Sequence, residues 1–166
     1  MSAADGSLDP AGSPGVITAN WEMSAAADPR LRQIHAYWQS RCGDRRMPSR
    51  ADIDPVDVPA LLPFIFLVDV LSDPRDFRFR LTGTHFRDFS GLELTGLRIG
   101  EAFPPEFAAE VHHHWSSCVD RGLPAVGSGR LWLPGRDHVG WEGVILPLSP
   151  DGASANMLLG GVIFTL

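Results

Sequence analysis

The stretch from Phe64 to Thr82 constrains the fold more than any other part of the chain. Phe64 to Val70 (FIFLVDV) is a short run of aromatic and β-branched residues closed by the turn-forming SDPRD, which fits a buried strand. After the turn, Phe77, Phe79 and Leu81 alternate with Arg78, Arg80 and Thr82. That period of two places the apolar set on one face and both guanidiniums on the other. The two runs predict a hairpin.

Three further β-like runs close the chain: Ala125 to Leu133, His138 to Leu148 and Met157 to Leu166, separated by LPGRD and SPDGASA turns. Between the two groups, Thr84 to Phe103 is broken by Gly91, Gly96 and Gly100, which predicts short helices and turns. A longer helix follows over Glu106 to Arg121, with Phe107, Val111, Trp115 and Val119 at intervals of four, a Pro104-Pro105 start and a Gly122 stop. Upstream, Asp28 is a cap and Pro29 a first helical residue. Leu31, Ile34, Trp38 and Cys42 then recur at helical spacing before Gly43. This predicts a helix of about 13 residues, near the usual length. The segment RRMPSRADIDPVDVPALLP is too rich in proline for a long helix and reads as an irregular crossing with one short turn. Residues 1 to about 20 hold Ala, Gly, Ser, Pro and Asp with hardly a large apolar side chain, which predicts disorder. The division is therefore a disordered leader over 1–20, an N-terminal helix with its connecting segment over 21–59, and a core over 60–166.

At 166 residues, with 44% apolar and 20% charged side chains, the chain has the size and composition of one globular domain. It carries 14 basic residues, all arginine, against 20 acidic ones, for a net charge of −6. With no run of basic residues it offers phosphate backbones no electrostatic footprint, so nucleic acid is not an expected partner. The charge-free apolar segments Val58 to Val68 and Gly152 to Leu166 fall short of the roughly 20 apolar residues that a bilayer span needs. The first basic residue is Arg30 and the opening MSAADGSLDPAGSPG has no apolar stretch, so no secretion signal is read and cytoplasmic residence is the default expectation. Cys42 and Cys118 belong to no metal or redox spacing and are expected as unpaired thiols.

Five features stand in order along the chain: the Trp38-bearing first helix; Met47-Pro48-Ser49-Arg50 with Asp54-Pro55; Leu61-Leu62-Pro63; the strand end Phe79-Arg80-Leu81-Thr82-Gly83-Thr84; and Leu94-Thr95-Gly96. With the element order, from about Trp38 to the C-terminus, they resemble the PAS superfamily, in particular a bacterial stand-alone branch once catalogued as a domain of unknown function. The resemblance implies an α+β PAS fold, a five-stranded antiparallel sheet with helices packed on one face and an N-terminal helix. It implies a small cavity able to host a ligand or cofactor, whose identity stays unknown. It implies a sensor or interaction module and no reaction. Because the last strand ends at Leu166, no output domain is expected, and such a module signals by contacting another protein or by oligomerising.

Phe86, Phe89, Leu97, Trp115 and Trp141 are the candidates to line the cavity, although core packing and ligand contact call for the same residue types. The Leu31, Ile34, Trp38 stripe either packs on the domain's own sheet or pairs with a second subunit. The subunit interface is favoured because PAS N-terminal helices often pair this way and tryptophan dominates such contacts. A homodimer and a signalling protein partner follow as expectations. Arg80 is read as a structural ion pair with Asp69 or Glu142 on the outer face, unless a bulge between Arg78 and Gly83 turns it inward to hold an anionic ligand.

His112, His113 and His114 point about 100 degrees apart on a helix and make no metal site. The glycines of GSG at 127 to 129 read as a bulge or close-packing site rather than a phosphate cradle. The expected function is a non-catalytic cytoplasmic sensor or interaction module with a small-molecule ligand. Its rivals are a pure dimerisation scaffold whose cavity is filled by side chains, and a small enzyme using His85 or His138 as general base.

Overall fold

The computed structural model describes residues 28–130, 135 and 139–166. The leader expected at 1–20, the LPGRD turn apart from Gly135, and His138 lie outside the described residues. The elements run α1 (Pro29–Ser40), three short 3-10 segments (Arg50–Asp52, Pro55–Asp57, Pro59–Phe64), β1 (Ile65–Leu71), β2 (Asp76–Thr82), α2 (Thr84–Ser90), α3 (Ile99–Ala102), α4 (Pro105–Arg121), β3 (Ala125–Arg130), β4 (Gly140–Leu148) and β5 (Met157–Thr165). Their starts are set locally. The Asp28 side chain accepts from the Arg30 N–H at 2.8 Å ahead of Pro29, and Asp54 does the same for Val56 at 3.0 Å ahead of Pro55. Helix α4 stops where Gly122 takes a left-handed φ of 65° and its N–H returns to the Cys118 carbonyl at 2.9 Å.

The strands form one antiparallel sheet in the order β2-β1-β5-β4-β3. Strands β2 and β3 are adjacent in sequence yet lie at opposite edges. The chain between them must therefore cross a whole face of the sheet, and α2, α3 and α4 make that crossing. They bury Phe86, Ile99, Phe107, Val111 and Trp115 against Phe66, Val68, Phe77, Phe79, Ile145, Val162 and Phe164. We call this the inner face.

Helix α1 covers the opposite face. Leu31, Ile34 and Trp38 are buried in a second cluster with Ile65, Leu67, Val144, Leu146 and Ile163, and the Trp38 indole N–H donates to the Pro147 carbonyl at 2.8 Å. Each such side chain stabilises the packing by about 2 kcal/mol. The sheet is thus covered on both faces, with the crossing helices packed on one, as expected of this fold, and the N-terminal helix on the other. The apolar stripe expected at a subunit interface lies against the chain's own sheet. Cys42 and Cys118 are free thiols in the two different clusters, with the sheet between them.

The resemblance motifs prove to be packing joints. A Cβ at Gly83 would run into the Pro63 carbonyl, so the strand end and Leu61-Leu62-Pro63 meet backbone to backbone, with the Gly83 N–H on the Ile65 carbonyl at 2.8 Å. Leu94-Thr95-Gly96 docks on the edge of β2, where the Gly96 N–H donates to the Phe79 carbonyl at 2.7 Å and the Phe79 N–H to the Leu97 carbonyl at 2.9 Å. That pairing also protects part of an open sheet edge.

One expectation about the hairpin is corrected. Leu67 pairs with Leu81 while Val68 pairs with Phe79, so Arg80 has no residue opposite it and a bulge interrupts the alternation. Leu81 therefore leaves the Phe77 and Phe79 face, joins the side of Leu67 and stands 47% exposed. Arg80 stays outside. Its Nε donates to the buried Asp69 carboxylate at 2.8 Å, and Arg78 approaches the other oxygen at 3.5 Å. Asp69 is the partner, not Glu142, whose carboxylate accepts from the Asp28 N–H at 2.9 Å where α1 begins.

Candidate ligand cavity

A cavity of about 80 Å³ lies between the inner face and the crossing helices. Two features of the sheet create it. Gly127 of β3 pairs directly with Gly143 of β4 at an inner-facing register, flanked by the Ala125 and Ile145 pair, so neither residue raises a side chain there and the Trp141 ring lies over Gly143, 3.6 Å from where its Cβ would be. On β5, a Cβ at Gly160 would overlap the Phe66 ring, so the bare glycine lets that ring lie flat across the strand. Phe66 then stacks on Trp115 with centroids 6.0 Å apart.

The walls are aromatic and mutually braced. Phe79 meets Phe103 edge to face at 5.9 Å, Phe103 meets Phe107 at 4.9 Å, and Phe107 meets Trp141 at 6.2 Å. Perpendicular rings of this kind are the favoured arrangement and hold their neighbours in place. His114 is the one titratable side chain among the described lining residues. Burial pushes its pKa below the ordinary histidine value, His113 beside it pushes the same way, and Glu110 opposes them.

Of the residues expected to line the cavity, Phe86, Trp115 and Trp141 do so. Phe89 and Leu97 pack against the surrounding cluster instead. Phe89 stacks on Phe164 at 5.6 Å, and Leu97 is tied through its backbone to Phe79. The lining also includes His114 and the glycine pair, which do not stand out in the sequence. His114 follows Phe107 by seven and Val111 by three, which places it beside the apolar stripe of α4, and that spacing could have identified it. At the glycines, the expected bulge is absent, because the ladder through them is regular. The approach there is close: a Cβ at Gly143 would lie 3.1 Å from the Gly161 carbonyl oxygen and 3.6 Å from the Trp141 ring.

His85 and His112 serve the fold. His85 Nε2 accepts the Phe164 N–H at 3.1 Å, just past Gly161, where the pairing of β5 with β1 stops. Its basic nitrogen is engaged with backbone, and its ring is enclosed by Phe64, Phe89 and Phe164. His112 bonds the Arg75 carbonyl at 3.0 Å through Nε2, and His113 is exposed. Cys118 adjoins the cavity cluster without lining it. Its Sγ donates to the Leu123 carbonyl at 3.1 Å, and burial pushes the thiol up to about 12. A thiol held so far from ionisation is a core side chain rather than a nucleophile.

Comparison with known proteins bears on the whole arrangement. A sequence model described as PAS domain matches residues 26–163. Among solved structures, the chain is similar to one titled as an RNA-binding light-oxygen-voltage receptor, at 14% identity and a TM-score of 0.45, over 70% of this chain and 35% of the receptor. No curated protein matches the sequence.

Proposed function

This chain belongs to the PAS domain family, and from that premise we propose that it is a non-catalytic sensor module that admits a small molecule to its inner-face cavity and reports occupancy through contacts with other proteins. PAS domains are typically sensory or interaction modules. The observation that supports a ligand here is the cavity itself, lined by Gly127 and Gly143 on a sheet face otherwise packed with large apolar side chains. Close packing is the rule in protein interiors, so a void bounded by aromatic rings is a binding site in waiting.

The route for a signal lies in the same elements. Phe86 on α2 lines the cavity, and its neighbour His85 bonds β5 and touches Phe64, over which the Arg30 guanidinium of α1 sits at 4.6 Å. A ligand that shifts α2 therefore acts on the start of α1. Homodimerisation in this proposal uses a surface other than Leu31, Ile34 and Trp38, which are buried in the chain's own core. No helix among the described residues is long and apolar enough to cross a membrane.

One observation favours a second reading, a scaffold without a ligand. The cavity's 80 Å³ is well below the roughly 300–1,000 Å³ of drug-sized sites, so modest inward motion of the rings would fill it. Native mass spectrometry of the full chain purified from its own host separates the two. The sensor reading predicts a small bound mass that is lost in Gly127→Val, a substitution that puts a side chain into the open space. A bare chain in every preparation supports the scaffold.

A further inference from the structure

The chemistry of the cavity's lining narrows what it can hold. No described lining residue carries a full charge, and Glu110, one turn before His114 on α4, is not among them. A charged ligand would lose its hydration with no counter-ion to meet it, a heavy cost in an apolar site. The occupant is therefore neutral. Size limits it further: an apolar cavity of about 150 Å³ accommodates benzene, and this one has about half that volume. One ring fits if the aromatic walls move outward slightly, whereas a fused-ring cofactor does not.

The polar side-chain groups of the lining are the indole N–H groups of Trp115 and Trp141, which only donate and of which that of Trp141 reaches the Arg130 carbonyl at 3.2 Å, and His114, which can both donate and accept. Of the three histidines next to the inner core, His85 and His112 hold backbone groups of their own chain. His114 touches the His113 ring at 5.3 Å, and neither of its ring nitrogens has a hydrogen-bond partner among the described residues. Kept neutral by burial, it presents one N–H donor and one acceptor nitrogen, which suits a hydroxyl that both gives and takes a hydrogen bond.

We propose that the cavity binds a neutral, single-ring aromatic alcohol of the phenol class, its ring against Phe79, Phe103 and Trp115 and its hydroxyl on His114. This rests on the sensor reading and adds to it the ligand's chemistry. The test titrates the full chain with phenol, toluene and benzoate, following tryptophan fluorescence, since Trp115 and Trp141 line the site, and the histidine ring signals by NMR.

Phenol should saturate with a Kd about fivefold lower than that of toluene, the worth of one neutral hydrogen bond, and should move the His114 ring signals where toluene leaves them in place. Benzoate should not bind. His114→Leu, which removes both nitrogens, should give equal Kd values for phenol and toluene. If that variant does not fold, the ring-signal comparison on the unaltered chain makes the same distinction. Equal affinities for phenol and toluene in the unaltered chain, or tighter binding of benzoate, overturn this proposal and leave the cavity a binding site. Saturation by none of the three overturns both.

Discussion

Gly161 shows how much can depend on one missing methyl group. A Cβ there would lie 2.7 Å from Ile34 Cδ1 and 3.2 Å from Leu31 Cδ2, so the two side chains of α1 rest on β5 where it has no side chain and would have to shift to admit one. Gly161→Ala should destabilise the fold by about 1–3 kcal/mol, the usual cost of overpacking, as measured by urea denaturation. An unchanged midpoint would mean that α1 does not rest there. At His85 the relevant quantity is a proton. Burial, then the Arg30 charge, push its pKa below the ordinary value, against the opposing effect of Asp88 and Asp28. The folded state thus binds fewer protons than the unfolded one. The resulting stability is complete above the unfolded histidine value, about 6.5, and declines as pH falls below it toward the folded pKa. An NMR titration should place the His85 midpoint below that of a free histidine, and a midpoint above it would contradict the acceptor role toward Phe164. Arg80, by contrast, is an exposed partner of Asp69, so Arg80→Met should barely move the urea midpoint and leave cavity binding unchanged. Loss of a bound anion in that variant would contradict its outer placement.

Helix α1 marks the point where local pattern stops specifying structure. Its start at Asp28 and Pro29 and its Leu31, Ile34, Trp38 stripe were legible because caps and helical periodicity are written within a few residues. What the stripe meets was not, since an apolar face is equally suited to a sheet in the same chain or a helix in another. Trp38→Ala should lower stability by about 3 kcal/mol, through lost packing and an unpaired Pro147 carbonyl, without changing the sedimentation coefficient. A shift to smaller species would restore the interface reading. The hairpin shows the same boundary. Its two strands and the turn between them could be read from alternation, but the bulge at Arg80 that sends Leu81 outward depends on pairing with β1. The cavity was legible only in part. Phe86, Trp115 and Trp141 stand out as large rings, whereas Gly127 and Gly143 gain meaning only from lying opposite each other on two strands.

Across the molecule, a five-stranded sheet carries one dense apolar layer under α1 and one aromatic layer under α2, α3 and α4, and open space lies in the second. Of the sequence motifs that signalled the family, three sit at backbone joints around β1 and β2, while Trp38 and Pro48 bond the C-terminal end of β4, so they identify the fold without describing what the cavity takes. Whether the open space is apolar and accessible can be tested with xenon, independently of any ligand's identity, because xenon enters apolar voids by size alone. Methyl-resolved NMR under xenon pressure should show saturable shifts at Val111, Ile145 and Val162, which line the cavity, with Ile34 and Leu146 under α1 unmoved. Saturable shifts absent from the first set, or confined to the second, would contradict an accessible apolar cavity on the inner face.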